Sequence, residues 1–162
     1  MHVICGPVGT GKSSLLLALL GEMSMHKLND AIPSFAKRPG LRCLYYSQAR
    51  WLFRGSVYSN LTLSPSDKTV MNDAELSRFE RVGDRQVPEY VAERGSILSG
   101  RQRSPLQLTR AVYQDAGLYL FDDPFIGLDV KTSNNIVTNC FQTRSSLLPA
   151  HAAVVIVTDS VH

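Results

Sequence analysis

The sequence predicts an α/β domain, a mostly parallel sheet flanked by helices on both faces. Three observations carry that prediction. Four short runs are almost wholly apolar: HVIC at 2–5, LRCLYYS at 41–47, LYLFD at 118–122 and AAVVIVTD at 152–159. Such runs are what strands buried on both faces look like. Helix-like segments separate them, as in repeated strand–helix–strand units. The glycine-rich stretch GPVGTGKS, 6–13, then stands directly between the first strand and the first helix.

Taken in order, HVIC is a short strand, and the leucine-rich stretch after the glycine loop is a helix that Gly21 stops. Residues 24–40 are polar and punctuated by Pro and Gly, which reads as a loop or weak hairpin. LRCLYYS is the next buried strand. NDAELSRFERV, 72–82, is a short helix with Asn72 as its cap. LSGRQRSPLQLTRAVYQ, 98–114, has helical spacing at Leu106, Leu108 and Val112, which Pro105 disturbs. LYLFD is a fully buried strand, Lys131 to Thr143 a helix, and AAVVIVTD the last strand. No internal repeat or low-complexity segment interrupts this order.

The 162 residues suffice for one domain with a core, and the 44% apolar content argues against disorder. Seventeen basic against fourteen acidic side chains leave +3, with no run of five basic residues, so no nucleic-acid partner is indicated. The basic side chains read as a solvated surface. Three cysteines without a CxxC pair suggest neither zinc nor a disulfide framework, and Cys5 and Cys43 read as small core residues. The four histidines share no ligand-like spacing. LLLALL, 15–20, is far short of the roughly 20 residues a bilayer span needs, and the motif around it argues against a signal peptide. The chain is read as soluble by itself, so a membrane link would come through a partner.

Gly6-Pro7-Val8-Gly9-Thr10-Gly11-Lys12-Ser13 fits G-x-x-x-x-G-K-[ST] in the strand-to-helix context that the pattern requires. Its glycines allow backbone angles that turn successive N–H groups inward around an anion. The helix beginning near Ser13 adds its positive end. Gly6, Gly9, Thr10, Gly11, Lys12, Ser13 and Ser14 would cradle the phosphates, Lys12 reaching the β- and γ-phosphates and Ser13 ligating Mg²⁺. A chance match in a chain this long is on the order of one in two hundred. The pattern marks a P-loop NTPase, and Asp122, ending LYLFD, is the carboxylate expected to hold the Mg²⁺ shell opposite Ser13.

Three further stretches narrow the class. Gln48 follows LRCLYYS, where its amide can touch Mg²⁺ or the attacking water. LSGRQ, Leu98 to Gln102, resembles the LSGGQ signature of ATP-binding-cassette (ABC) proteins, and Gly127-Leu128-Asp129 stands at the place of their D-loop. The chain resembles an ABC nucleotide-binding domain over nearly its whole length. YSQARWLFRGSVYSNLTL, ERGSILSG and Asp122-Asp123-Pro124 resemble the first such domain of the C subfamily, the multidrug-resistance-associated exporters and their channel and receptor relatives. The resemblance implies ATP and Mg²⁺ as ligands and a second nucleotide-binding domain docked head to tail. It also implies transmembrane domains gripped near the Q-loop and a place at the cytoplasmic face of a membrane. Ser99, Gly100, Arg101 and Gln102 would face the partner's ATP, with 1–50 and 115–162 as the core and 55–114 as an inserted helical subdomain.

The departures bear on turnover. The family's domain begins some tens of residues earlier, with antiparallel strands and an adenine-stacking aromatic, so the sequence reads as incomplete at both ends. Arg101 replaces the second signature glycine; it would obstruct the approach to the partner's γ-phosphate, supply that phosphate a cation, or point to solvent. Asp159 follows Thr158 where the family has its switch histidine. Asp123 takes the place of the general base, usually glutamate, which must come within about 2.6–3.2 Å of its water. Aspartate is one methylene shorter. The expectation is an ATP-binding transporter domain with impaired hydrolysis at Asp123, Gln48 and Asp159. The alternatives are a non-hydrolysing regulatory module of a channel- or receptor-like member, a soluble ABC ATPase, and a fragment too incomplete to fold.

Overall fold

The computed structural model describes residues 1–23, 40–49, 51–63, 90, 91, 98, 100–142 and 147–159. The elements are β1 (His2–Cys5), α1 (Lys12–Leu20), β2 (Cys43–Tyr46), β3 (Gly55–Ser56), α2 (Val57–Thr62), β4 (Tyr90–Val91), α3 (Gly100–Tyr113), β5 (Leu118–Asp122), α4 (Val130–Ile136) and β6 (Ala153–Thr158). A π-helical turn, Val137–Gln142, extends α4. The segment 24–39 and the helix expected at 72–82 lie outside the described residues.

All four apolar runs form one parallel sheet in the order β1-β6-β5-β2. The register sets Cys5 against Thr158, Asp122 against Val157 and Tyr46 against Phe121. Every strand therefore ends at the same edge. A parallel sheet gathers there whatever follows each strand, which is why such sheets bind ligands at their carboxyl ends.

The two-residue period of β5 divides the core. Tyr119 and Phe121 pack with Tyr46, Leu108, Val112, Ile136 and Ile156 on one face. Leu120 packs with Leu16 and Val157 on the other, beneath α1. Asp122 shares the parity of Leu120 and so emerges on the α1 side. A separate cluster of Leu52, Val57, Leu61, Val91, Leu98 and Leu106 joins α2 to the start of α3.

Two readings of the sequence are corrected here. Cys5 and Cys43 are exposed, and only Cys140 is a core residue. The reason is position: β1 and β2 are the two edges of the sheet, and only β5 and β6 have a neighbour on each side. The basic side chains are not all solvated, because Arg110 is 8% exposed. The helix expected over 98–114 forms as α3, with Pro105 in its interior. An interior proline costs about 3 kcal/mol. Leu106 and Leu108 on either face of α3 are buried, each contributing about 1.5–3 kcal/mol, and their burial offsets that cost.

Candidate functional site

The loop from Gly6 to Gly11 joins the end of β1 to α1. Gly9 and Gly11 hold φ of +87° and +86°, in the left-handed region where glycine is at ease. A Cβ at either would meet nothing within 4 Å, so both glycines border open space. The loop is tied down at both sides: Gly6 N–H donates to the Thr158 carbonyl at 3.2 Å, and the Thr10 hydroxyl donates to the Pro7 carbonyl at 2.9 Å. Lys12 Nζ donates to the Gly6 carbonyl at 2.6 Å and the Pro7 carbonyl at 2.9 Å, which holds its ammonium across the loop. The α1 N-terminus has no side-chain cap and no acidic residue in its first turn. Its N–H groups and positive end are thus left for an anion.

Ser13, in the first turn of α1, donates its hydroxyl to Asp122 Oδ1 at 3.0 Å. Asp122 is 5% exposed. Its other oxygen, Oδ2, accepts from the Tyr45 hydroxyl at 3.0 Å. Burial, and then the bond and charge of Asp122, push the Tyr45 phenol up to about 12, so it remains a donor at any ordinary pH. Tyr45 escaped the sequence reading. Its only signal was parity: it faces Leu120 across β2–β5, and Leu120 and Asp122 share a face.

Asp123 follows β5 at φ +48°, a left-handed turn that aspartate tolerates better than most residues. Its N–H donates to the Val157 carbonyl at 2.9 Å, and its Oδ1 accepts from the Thr158 hydroxyl at 3.2 Å. Burial raises its carboxyl above the usual range, and the charges of Asp159 and Asp122 add to this. The Thr158 bond and Lys12 oppose the rise. Lys12, Ser13, Asp122, Asp123 and Asp159 thus meet at one edge of the sheet. Gln48 lies exposed at the end of β2, at the same edge. Asp129 caps α4, accepting from Thr132 N–H at 3.0 Å. Gly100, Arg101 and Gln102 begin α3, and Ser99 lies outside the described residues.

The sequence profile of the family described as ABC transporter matches residues 1–126. The chain belongs to the ABC transporter family. It is 33% identical over 98% of its length to the ATP-binding cassette transporter abc1 of Schizosaccharomyces pombe, covering 11% of that protein. It is 34% identical over 85% of its length to ABC transporter C family member 9 of Arabidopsis thaliana, covering 9% of it. With ATP-binding cassette sub-family C member 4 of Homo sapiens it shares 35% identity over 85% of its length, covering 10% of that chain. The chain therefore spans about a tenth of the length of these ABC transporters, whose homologous part is a nucleotide-binding domain.

The residues at the sheet edge fit a nucleotide carrying Mg²⁺. Hydroxyl and carboxylate oxygens are the hard donors Mg²⁺ takes, and Ser13 and Asp122 already lie within 3.0 Å of each other. Among the described residues no three His, Cys, Asp or Glu side chains gather as a metal cage. A nucleotide-borne Mg²⁺ needs none, since it keeps waters and phosphate oxygens and takes only one or two carboxylates. No described helix is long and apolar enough to cross a membrane.

Proposed function

We propose that this chain binds Mg²⁺-ATP at the β1–α1 loop and serves as an ATP-binding domain of a C-subfamily ABC transporter, coupling nucleotide binding to transport. The observation that carries the reading is the Ser13–Asp122 hydrogen bond, which closes the loop's helix over the carboxylate at the end of β5. Gly6, Gly9, Thr10, Gly11, Ser13 and Ser14 surround the phosphates. Lys12 leaves the Gly6 and Pro7 carbonyls for phosphate oxygens. Ser13, Asp122 and Gln48 hold the Mg²⁺, which neutralises phosphate charge when bound. Tyr45 keeps the Asp122 carboxylate turned toward Ser13.

Ser99, Gly100, Arg101 and Gln102 serve a second nucleotide-binding domain docked head to tail, with 55–114 as the helical subdomain of this one. Transmembrane domains of the same transporter place it at the cytoplasmic face of a membrane. Hydrolysis at this site is impaired. Asp123 is short for a general base and already holds the Thr158 hydroxyl, and Asp159 offers no donor to the γ-phosphate when ionised. Calorimetric titration of Lys12→Ala with Mg²⁺-ATP tests the phosphate cradle. Binding is expected to disappear; an unchanged affinity would remove the assignment.

A further inference from the structure

Gln48 sits in a bend directly after β2, and two hydrogen bonds converge on the residue that follows it. The Ser47 hydroxyl donates to the Ala49 carbonyl at 3.0 Å. Gln107 Nε2, 58 positions away on α3, donates to the same carbonyl at 3.3 Å. Gln48 is therefore flanked by two held residues, and α3 supplies one of the ties.

Gln107 opens a row of donors. Arg110 on α3 and Gln114 just past its end follow at helical spacing, and they donate to the carbonyls of Trp51, Asn60 and Leu61. Of the three, Gln107 bonds nearest to Gln48.

Its own amide is poorly satisfied. Gln107 is 8% exposed, and its Oε1 is buried without a hydrogen-bond partner, alone in this among the described residues. Exchanging the two amide atoms would set oxygen against the Ala49 oxygen. A buried acceptor left unpaired costs more than one long hydrogen bond returns. For stability alone an apolar side chain would serve better here, as it does at the neighbouring Leu106 and Leu108. Such local conflicts are expected where a residue serves a site. What the amide offers is the atom that Nε2 holds.

We propose that Gln107 is a positioning residue for the metal side of the nucleotide site. By holding the Ala49 carbonyl it fixes the bend that carries Gln48, and so sets where the Gln48 amide meets Mg²⁺. Partners behind a metal ligand orient the ligand in this way. The inference rests on the nucleotide reading and adds to it a residue that touches neither nucleotide nor metal.

A double-mutant cycle on the 162-residue chain tests it, with ATP titrated calorimetrically in the presence and absence of Mg²⁺. Gln107→Met removes both the donor and the unpaired acceptor, while the Ala49 carbonyl keeps its Ser47 bond. The variant is expected to bind Mg²⁺-ATP about three- to tenfold more weakly, the worth of one hydrogen bond. Its affinity for metal-free ATP should match the wild type, and it should unfold at the same or a higher urea concentration. In a Gln48→Ala chain the same substitution should change nothing. If the Met chain fails to fold, Gln107→Asn, whose amide stops one methylene short of Ala49, carries the same binding expectations. A loss equal with and without Mg²⁺, a loss that persists in the Gln48→Ala chain, or an unchanged Mg²⁺-ATP affinity would overturn the inference alone. A wild-type chain that binds no ATP overturns the nucleotide reading, and this inference with it.

Discussion

Ser13 and Asp122, 109 positions apart in the chain, share a hydrogen bond of 3.0 Å. It links the first turn of α1 to the last residue of β5. Two conditions produce it. The left-handed glycines swing α1 back over the sheet, and the two-residue period of β5 sends Asp122 to the face α1 covers. Neither condition alone would bring a hydroxyl to the carboxylate.

Tyr45 completes that arrangement, and Tyr45→Phe isolates its part. The substitution keeps the ring and removes only the donor to Asp122 Oδ2. A hydrogen bond to a charged group contributes roughly 1.5–3 kcal/mol, less where water can replace it. Urea denaturation is expected to show a loss of about 1–2 kcal/mol. Titration should show weaker Mg²⁺-dependent nucleotide binding, with the metal-free affinity little changed. An effect equal with and without Mg²⁺ would assign the Tyr45 hydroxyl a part in stability alone.

Arg110 is a second test. Its Nε, Nη1 and Nη2 donate to the Asn60 carbonyl, the Trp51 carbonyl and Asn60 Oδ1. Burial pulls its guanidinium down to about 10, and the charge persists at neutral pH. Asn60 in turn donates to the Phe53 and Ser56 carbonyls at 2.9 and 3.1 Å. Arg110→Met removes every donor; Asn60 Oδ1 keeps the Phe53 N–H, but the Asn60 and Trp51 carbonyls lose this partner, at about 1–3 kcal/mol for a buried acceptor left unpaired. Denaturation should show a loss of at least 2 kcal/mol, with Trp51 emission shifted. A loss under 0.5 kcal/mol would mean that the segment 51–60 is held by its apolar contacts instead.

Asp123 makes stability depend on pH. Its carboxyl is held above the ordinary range, chiefly by burial. Folding therefore favours its protonated form. The stability it contributes is full below the unfolded value, near 4, and is lost as pH rises through the folded value. Asp123→Asn cannot ionise, keeps an acceptor for Thr158 and suits the left-handed turn. Denaturation midpoints measured from pH 3.5 to 7 should show the variant gaining on the wild type as pH rises, then running parallel. A difference independent of pH would contradict the raised carboxyl.

Hydrolysis gives the last prediction. Asp123→Glu lengthens the side chain, but φ of +48° suits glutamate less well than aspartate. The single change is expected to gain little. Combined with Asp159→His, which restores a donor beside the γ-phosphate, it should give measurable phosphate release in a complete, partnered domain. A well-placed general base is worth a factor of roughly 10²–10⁴. Wild-type turnover at ordinary ABC rates would refute the impaired site.

The glycine loop between β1 and α1, the strands and the acidic end of β5 were legible in the sequence because each is locally encoded. A glycine permits a positive φ by itself, and a short apolar run marks a strand by its own composition. Tyr45, Arg110, the exposed Cys5 and Cys43, and the place of Pro105 inside α3 were decided only by the tertiary structure. Tyr45 needed the β2–β5 register, the two cysteines needed the strand order, and Arg110 needed the Asn60 and Trp51 carbonyls, 50 and 59 positions away. Pro105 reads as a disturbance because its cost is local, whereas the burial of Leu106 and Leu108 that offsets it depends on two separate clusters. Long-range packing can reverse a local preference of a few kcal/mol, and no window of neighbouring residues contains it.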